Sequence, residues 1–170
     1  QAYERGYAKA ENSLKAFVAE NDSWLPDYAL FMALKAKFSQ ASWQEWPREI
    51  RFRYPDILAR HREELSGEIE FFNYLQYLFF AQWEAVKKYI NSLGIKVIGD
   101  VPIYVALDSA DVWANPSLFA LDAQRRPRWV AGVPPDYFSL DGQLWGNPLY
   151  HWPAHKKTSF EWWIARLKSA

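Results

Sequence analysis

The stretch from Glu68 to Leu93 constrains the fold most. Phe71, Leu75, Leu78, Phe79, Val86 and Ile90 recur at helical spacing, in a stripe broken only by Gln82. Phe72, Tyr74, Tyr77, Phe80 and Trp83 widen that stripe, so the helix is expected to touch protein on more than one side. Lys87 and Lys88 sit near its end, where the helix dipole favours cations, and Gly94 follows where a left-handed cap is common. Ile95-Lys96-Val97-Ile98 then predicts a short strand. Its lack of clean alternation suits a strand covered on both faces, as in a parallel sheet beneath helices. The strand would end at Gly99-Asp100, the end at which α/β barrels and open sheets bind ligands.

Upstream, the pattern is helical from Gly6 to Leu93. Leu14, Phe17 and Val18 mark a first amphipathic helix through Glu20. Asn21 to Pro26 forms a junction, and Trp24, Tyr28, Phe31, Met32, Leu34 and Phe38 continue with helical spacing. Pro26 is tolerated because first-turn amides need no intrahelical acceptor. Ser42 to Pro47 predicts a short tryptophan-bearing turn or helix. Arg48, Arg51 and Arg53 form a local positive patch, read as solvated surface or salt-bridge partners, and Pro55 to Leu65 predicts another short helix.

Composition changes at Gly99. Residues 99–153 hold seven of the ten prolines and four of the seven glycines. So long a connection with little regular periodicity is uncommon and often functional. Its turns fall at Asn115-Pro116, Arg126-Pro127, Pro134-Pro135, Asp141-Gly142 and Asn147-Pro148, and a hairpin could pair Phe119–Leu121 with Trp129–Val130. Thr158, with Glu161 three residues on, has the spacing of a capping box before Trp162, Trp163, Ile164 and Leu167.

Several function classes are disfavoured by composition. Twenty basic residues balance twenty acidic ones, so no global field draws nucleic acid or an anionic membrane. Cysteine is absent, which removes disulfides, a thiolate nucleophile and Cys-type zinc sites, and makes a reducing cytoplasm the default setting. His61, His151 and His155 are too scattered for a histidine metal cluster. No charge-free stretch reaches membrane-spanning length. No nucleotide-binding glycine loop, GxSxG elbow or HExxH helix occurs, and no cofactor is implied.

The aromatic content is anomalous: ten tryptophans, ten tyrosines and eleven phenylalanines. Core packing is the plain reading for each tryptophan; the sharper one is a set of flat platforms for sugar rings or nucleobases. Tyr137-Phe138 follows the rigid stem Pro134-Pro135-Asp136, and Gln143, Trp145 and Asn147 alternate with small or apolar neighbours at Gly142, Leu144 and Gly146. Such a loop can stack on a sugar ring and hydrogen-bond its hydroxyls. A nucleobase would stack as well, but no basic groove is present to hold phosphates. Asp100, Asp108, Asp111, Asp122, Asp136 and Asp141 could supply paired carboxylates, yet spacing alone brings no two together. For Asp111 and Asp122 a cap or turn is the better reading, whereas Asp100 stands evenly between function and structure.

At the level of whole motifs the chain resembles the 4-alpha-glucanotransferases called amylomaltases or disproportionating enzymes. The resemblance lies in Asn21 to Tyr28, Tyr74 to Tyr77, Gly99 to Ala106, Asp108 to Trp113, Gly132 to Ser139 and Gly142 to Tyr150. It implies an α/β fold, part of a (β/α)8 TIM barrel of the alpha-amylase superfamily with helical and irregular insertions. Residues 1–94 would be a helical subdomain leading into the barrel, and residues 95–170 a barrel strand, the cleft loops and a following helix. It also implies transfer of 1,4-alpha-glucan segments to a 4-hydroxyl by a retaining route, with aspartate as nucleophile and glutamate as acid/base. No residue of this chain matches those catalytic positions. Asp100 matches an aspartate at a barrel strand end near the bond-cleaving subsite. Tyr137 and Phe138 match the tip of a mobile loop over the cleft, and Gln143 and Trp145 match residues that contact glucan rings. Leu107 departs from a polar residue common in relatives, within an otherwise intact motif.

The implied partners are maltooligosaccharides or alpha-1,4-glucan and the remainder of the parent barrel, with no nucleic acid and no membrane. Gln1 in place of methionine, and Ser169-Ala170 directly after a helical run, are expected to bound an internal fragment that is inactive alone. Two alternatives remain: a non-catalytic glucan-binding or interaction module, and a structural subdomain whose aromatics are core.

Overall fold

The computed structural model describes residues 2–168, so the expectations for Gln1, Ser169 and Ala170 fall outside the described residues. The chain is mainly helical, with one two-stranded antiparallel sheet. It divides into two compact units. One runs to Ala41 and resumes at Trp46–Ile98; the other comprises Ser42–Glu45 and the chain from Gly99 onward.

The first unit is a helical assembly of α1 (Ala2–Glu20), α2 (Leu25–Lys37), α3 (Arg48–Arg51), α4 (Pro55–Glu64) and α5 (Ser66–Ser92). The junction between α1 and α2 is built as its polar residues suggest: Asn21 donates to the Phe17 carbonyl at 2.8 Å and accepts from the Trp24 indole at 2.9 Å. α2 is the central helix, burying Leu25, Ala29, Leu30, Phe31, Ala33 and Leu34. Each large side chain so buried contributes about 1.5–3 kcal/mol. After α2 the chain passes through left-handed Ser39 and Gln40, and the Lys35 ammonium donates to the carbonyls of Gln40 and Ala41. Asp27 accepts from both Arg53 and Arg62, so Arg53 is a salt-bridge partner, while Arg48 and Arg51 lie over the Phe52 ring.

Helix α5 starts two residues before its expected start. Phe17 packs on Tyr77 and Phe80, Trp24 on Phe80, and Gln76 donates to the Tyr28 hydroxyl. Tyr74 is its one buried residue, whereas Phe71, Leu75, Phe79, Val86 and Tyr89 are exposed. The helix thus packs against α1, α2 and α4, the contact on more than one side that its broad stripe suggests, and leaves a further apolar face exposed. Gly94 ends the helix as its sequence suggests. Its φ is +77°, its amide donates to Asn91, and the Ile95 amide reaches back to Ile90, the paired bonds of a Schellman turn.

The strand expected at Ile95–Ile98 is not formed; these residues are irregular, and Ile98 is 94% exposed. A short apolar run holds a strand only beside a partner strand, and the described residues supply none there.

The second unit contains a 3-10 turn at Trp43–Glu45, α6 (Ala110–Ala114), a 3-10 turn at Pro116–Leu118, β1 (Val130–Val133), β2 (Gln143–Pro148), α7 (Trp152–Lys157) and α8 (Glu161–Lys168). Ser109 caps α6 by accepting from the Val112 amide. Trp43, Val112, Trp113, Phe119, Ala131, Tyr150 and His155 form the core. Tyr150 lies at the centre of an aromatic cluster with Tyr104, Phe119, Trp152, Trp162 and Trp163.

Two local expectations are corrected. In the hairpin expected between Phe119–Leu121 and Trp129–Val130, Leu121 instead bridges Pro127, Phe119 bridges Tyr150, and Val130 pairs with Pro148. Asp122 closes a tighter turn by accepting from the amides of Gln124 and Arg126, which shortens the hairpin. The capping box at Thr158 is likewise absent. The Thr158 hydroxyl instead donates to the His155 carbonyl, left-handed Ser159 and Phe160 follow, and α8 starts at Glu161. That hydroxyl is drawn back by α7, a helix not anticipated in this region.

Candidate functional site

Residues 130–150 form the best-built surface feature. β1 and β2 pair antiparallel with Gly132 opposite Leu144 and Val133 opposite Gln143. A Cβ at residue 132 would lie 2.4 Å from the Gln143 carbonyl oxygen, so glycine there permits the strands' close approach. Between the strands, Asp136 folds the tip. One carboxylate oxygen accepts from the amides of Phe138 and Ser139 at 2.9 and 2.8 Å, and the Ser139 hydroxyl donates to the Gly142 carbonyl at 2.7 Å.

This small network turns the tip's aromatic side chains outward. Tyr137 and Phe138 are 93% and 90% exposed, and their rings meet edge to face at 5.5 Å. Burying two such rings would be favourable, yet both stand exposed on a locally ordered turn.

On β2, Gln143 and Trp145 meet through their side chains, and Asn147 follows beyond left-handed Gly146, where the register of the two strands shifts. The Trp145 indole donates to the Gln143 side-chain oxygen at 2.9 Å, which fixes that amide and leaves its nitrogen without a protein partner among the described residues. Trp145 meets Tyr104 edge-on at 6.2 Å, and Tyr104 stacks on Tyr150 at 5.9 Å with 12° between ring planes. The Tyr150 hydroxyl is held protonated to higher pH than an ordinary tyrosine, first by burial, against the opposing effect of Arg166.

The expected site residues therefore fall in three places. Tyr137 and Phe138 share the tip, and Gln143 and Trp145 share the β2 face. Asp100 is exposed before the Pro102–Asp108 segment and has no hydrogen-bond or ion-pair partner among the described residues. Of the other acids, Asp108 accepts from the Trp43 amide and Asp111 from the Trp162 indole, while Asp122 and Asp136 organise turns. Among the described residues no three His, Cys, Asp or Glu side chains are grouped to hold a metal. No described helix is long and apolar enough to cross a membrane. The ten tryptophans divide: Trp43, Trp46 and Trp113 are buried, Trp24, Trp162 and Trp163 are half-buried, and Trp83, Trp129, Trp145 and Trp152 are exposed.

Sequence reasoning missed Tyr104, Tyr150 and Arg166 as parts of this wall. Arg166 carried one usable signal. It stands four and three residues after Trp162 and Trp163, helical spacing that brings its guanidinium within 5.3 and 5.5 Å of their rings.

The same chain matches known proteins throughout. It is 46% identical to a 4-alpha-glucanotransferase of Clostridium butyricum, over all of this chain and 35% of that protein. To the 4-alpha-glucanotransferase of Thermus thermophilus it is 47% identical, over 98% of this chain and 33% of that protein. A solved amylomaltase from Streptococcus agalactiae, in complex with acarbose, superposes with a TM-score of 0.89 at 46% identity, covering 95% of this chain and 32% of that one. The chain thus spans about a third of the length of these relatives. The model of the 4-alpha-glucanotransferase family (glycoside hydrolase 77) matches residues 1–170, and the chain belongs to that family.

Proposed function

We propose that this chain is the substrate-gripping segment of a 4-alpha-glucanotransferase, and that Tyr137, Phe138, Gln143 and Trp145 contact an alpha-1,4-glucan. The observation that carries the reading is the Asp136-folded tip, which holds two almost fully exposed aromatic rings out on a proline stem. The neighbouring Trp145–Gln143 pair supports it by offering a flat ring beside an oriented amide, which suits a pyranose face and its hydroxyls. The Streptococcus agalactiae relative was solved with acarbose. A purely structural subdomain would have Tyr137 and Trp145 packed inside protein, and neither is buried.

In the parent enzyme the segment completes a (β/α)8 barrel, with residues 1–94 as the helical subdomain and 95–170 as the part bordering the cleft. Ile95–Ile98 would gain its strand partners from the rest of that barrel. Asp100 would then stand at the barrel rim near the cleaved bond. The reaction moves a glucan segment to the 4-hydroxyl of glucose or another glucan, by way of a covalent glycosyl-enzyme intermediate. Water competes with the acceptor for that intermediate, and an aromatic tip closing over the cleft excludes it. The nucleophile and acid/base are not residues of this chain, which alone is inactive. A cytoplasmic setting fits an enzyme of maltodextrin metabolism similar to the Clostridium butyricum relative.

The test is Tyr137→Ala with Phe138→Ala in the intact parent enzyme, scored as hydrolysis against transfer on maltotriose. A rise in the hydrolytic share is expected. An unchanged ratio would sink the water-exclusion role.

A further inference from the structure

Pro102–Leu107 runs behind Trp145 with no backbone–backbone hydrogen bond among the described residues. Its carbonyls are taken by side chains instead. Ile103 accepts from the Tyr150 hydroxyl at 2.9 Å, Val105 from the Asn147 amide at 2.9 Å and Leu107 from the Trp43 indole at 2.7 Å. Pro102 accepts from Arg166 at 2.6 Å, and Arg166 also donates to the Tyr150 hydroxyl at 3.3 Å. Side-chain donors thus do what a neighbouring strand would do, catching every second carbonyl from Ile103 to Leu107.

The captured segment carries Tyr104. Its ring lies between Tyr150, on which it stacks, and Trp145, which it meets edge-on. Asn147, two residues after Trp145 on β2, ties that strand to the Val105 carbonyl. A shift of the segment would therefore release the brace behind the Trp145 indole, and with it the Gln143 amide that the indole orients.

We propose that Asn147 and Tyr150 are positioning residues for the Trp145–Gln143 wall, acting through Tyr104 rather than by touching substrate. This rests on the glucan-binding reading above for its purpose, though not for its geometry. The groups assigned this role are the Asn147 amide N–H and the Tyr150 hydroxyl, in addition to the packing of the Tyr150 ring in the core.

The test uses the intact parent enzyme labelled with 5-fluorotryptophan and read by fluorine NMR, the Trp145 signal being identified by its loss in Trp145→Phe. Asn147→Asp keeps the side chain's shape but removes the donor to Val105. Tyr150→Phe keeps the ring and removes only the hydroxyl. Each is expected to move the Trp145 signal, leave that of fully buried Trp113 in place, and weaken maltoheptaose binding by roughly fivefold, the equivalent of one net hydrogen bond. An unmoved Trp145 signal in both variants overturns the proposal, and so does equal movement of Trp113, which means general loosening. If Trp145 responds to the variants but maltoheptaose leaves the parent spectrum unchanged, the positioning role is supported and the glucan reading fails.

Discussion

Trp43→Phe is the sharpest stability test of the second unit. Trp43 is fully buried, and its indole N–H donates to the Leu107 carbonyl at 2.7 Å while its backbone amide donates to Asp108 at 3.1 Å. Phenylalanine keeps an aromatic ring and the backbone contact but removes the indole donor. Leaving the Leu107 carbonyl without its donor costs about 1–3 kcal/mol. The smaller ring adds a cavity cost of about 1 kcal/mol, for a sum of about 2–4 kcal/mol. With an m-value of about 2–3 kcal/mol/M, the urea midpoint should fall by about 1 M. Far-UV circular dichroism would measure the midpoint, and amide exchange at Trp113 would place the loss in this unit. Trp129→Phe, at a 70% exposed position, is the control and should change stability by less than about 0.5 kcal/mol. Equal midpoints for Trp43→Phe and the parent would refute the claim that the indole tie to Leu107 holds the segment.

Three further outcomes follow. His155 is fully buried, shares a hydrogen bond with the Leu118 carbonyl through Nε2, and has no partner at Nδ1 among the described residues, and burial holds its pKa below the ordinary 6.5. The folded state thus binds its proton less readily than the unfolded state. Stability should be level above about pH 7 and fall as pH drops through 6.5 towards the folded pKa, by at most about 1.4 kcal/mol per pH unit for one proton; a His155→Gln midpoint series that keeps the parent's slope would contradict this. Gly142→Ala forces a side chain onto φ +72° and puts its Cβ 2.6 Å from the Val133 carbonyl oxygen. That should cost about 1–2 kcal/mol in backbone strain alone, seen as loss of amide protection at Phe138 and Ser139, and unchanged protection there would count against the tip geometry. Asp27→Asn should destabilise the first unit by about 1 kcal/mol, because the bridges to Arg53 and Arg62 are partly exposed and screened; a melt in high salt should narrow the gap to the parent.

What the sequence made legible was local. The stripe on α5, Gly94 as its left-handed end, the Asn21 junction and the Pro134-Pro135-Asp136 stem are each set by residues within a turn or two of one another. The misses were decided by distant partners. Ile95–Ile98 has a strand's composition, but composition cannot supply a neighbouring strand. Thr158 has the spacing of a cap, yet α7 offers its hydroxyl the His155 carbonyl instead. Of the site, Tyr137, Phe138, Gln143 and Trp145 stand out as aromatics and amides among glycines and prolines. Tyr104, Tyr150 and Arg166 do not, since their roles arise from contacts spanning 16 to 64 residues of chain. Asp100 was singled out for its place at a strand end, and within the described residues that strand is absent.

The central claim is that the β1–β2 hairpin presents a glucan-contacting surface. Its most direct test is amide and tryptophan side-chain chemical-shift mapping of the 15N-labelled chain during titration with maltoheptaose. The account predicts shifts at Tyr137, Phe138, Gln143 and the Trp145 indole, with none at Phe79 on the exposed face of α5. A spectrum that maltoheptaose leaves unchanged, or shifts confined to α5, would contradict it.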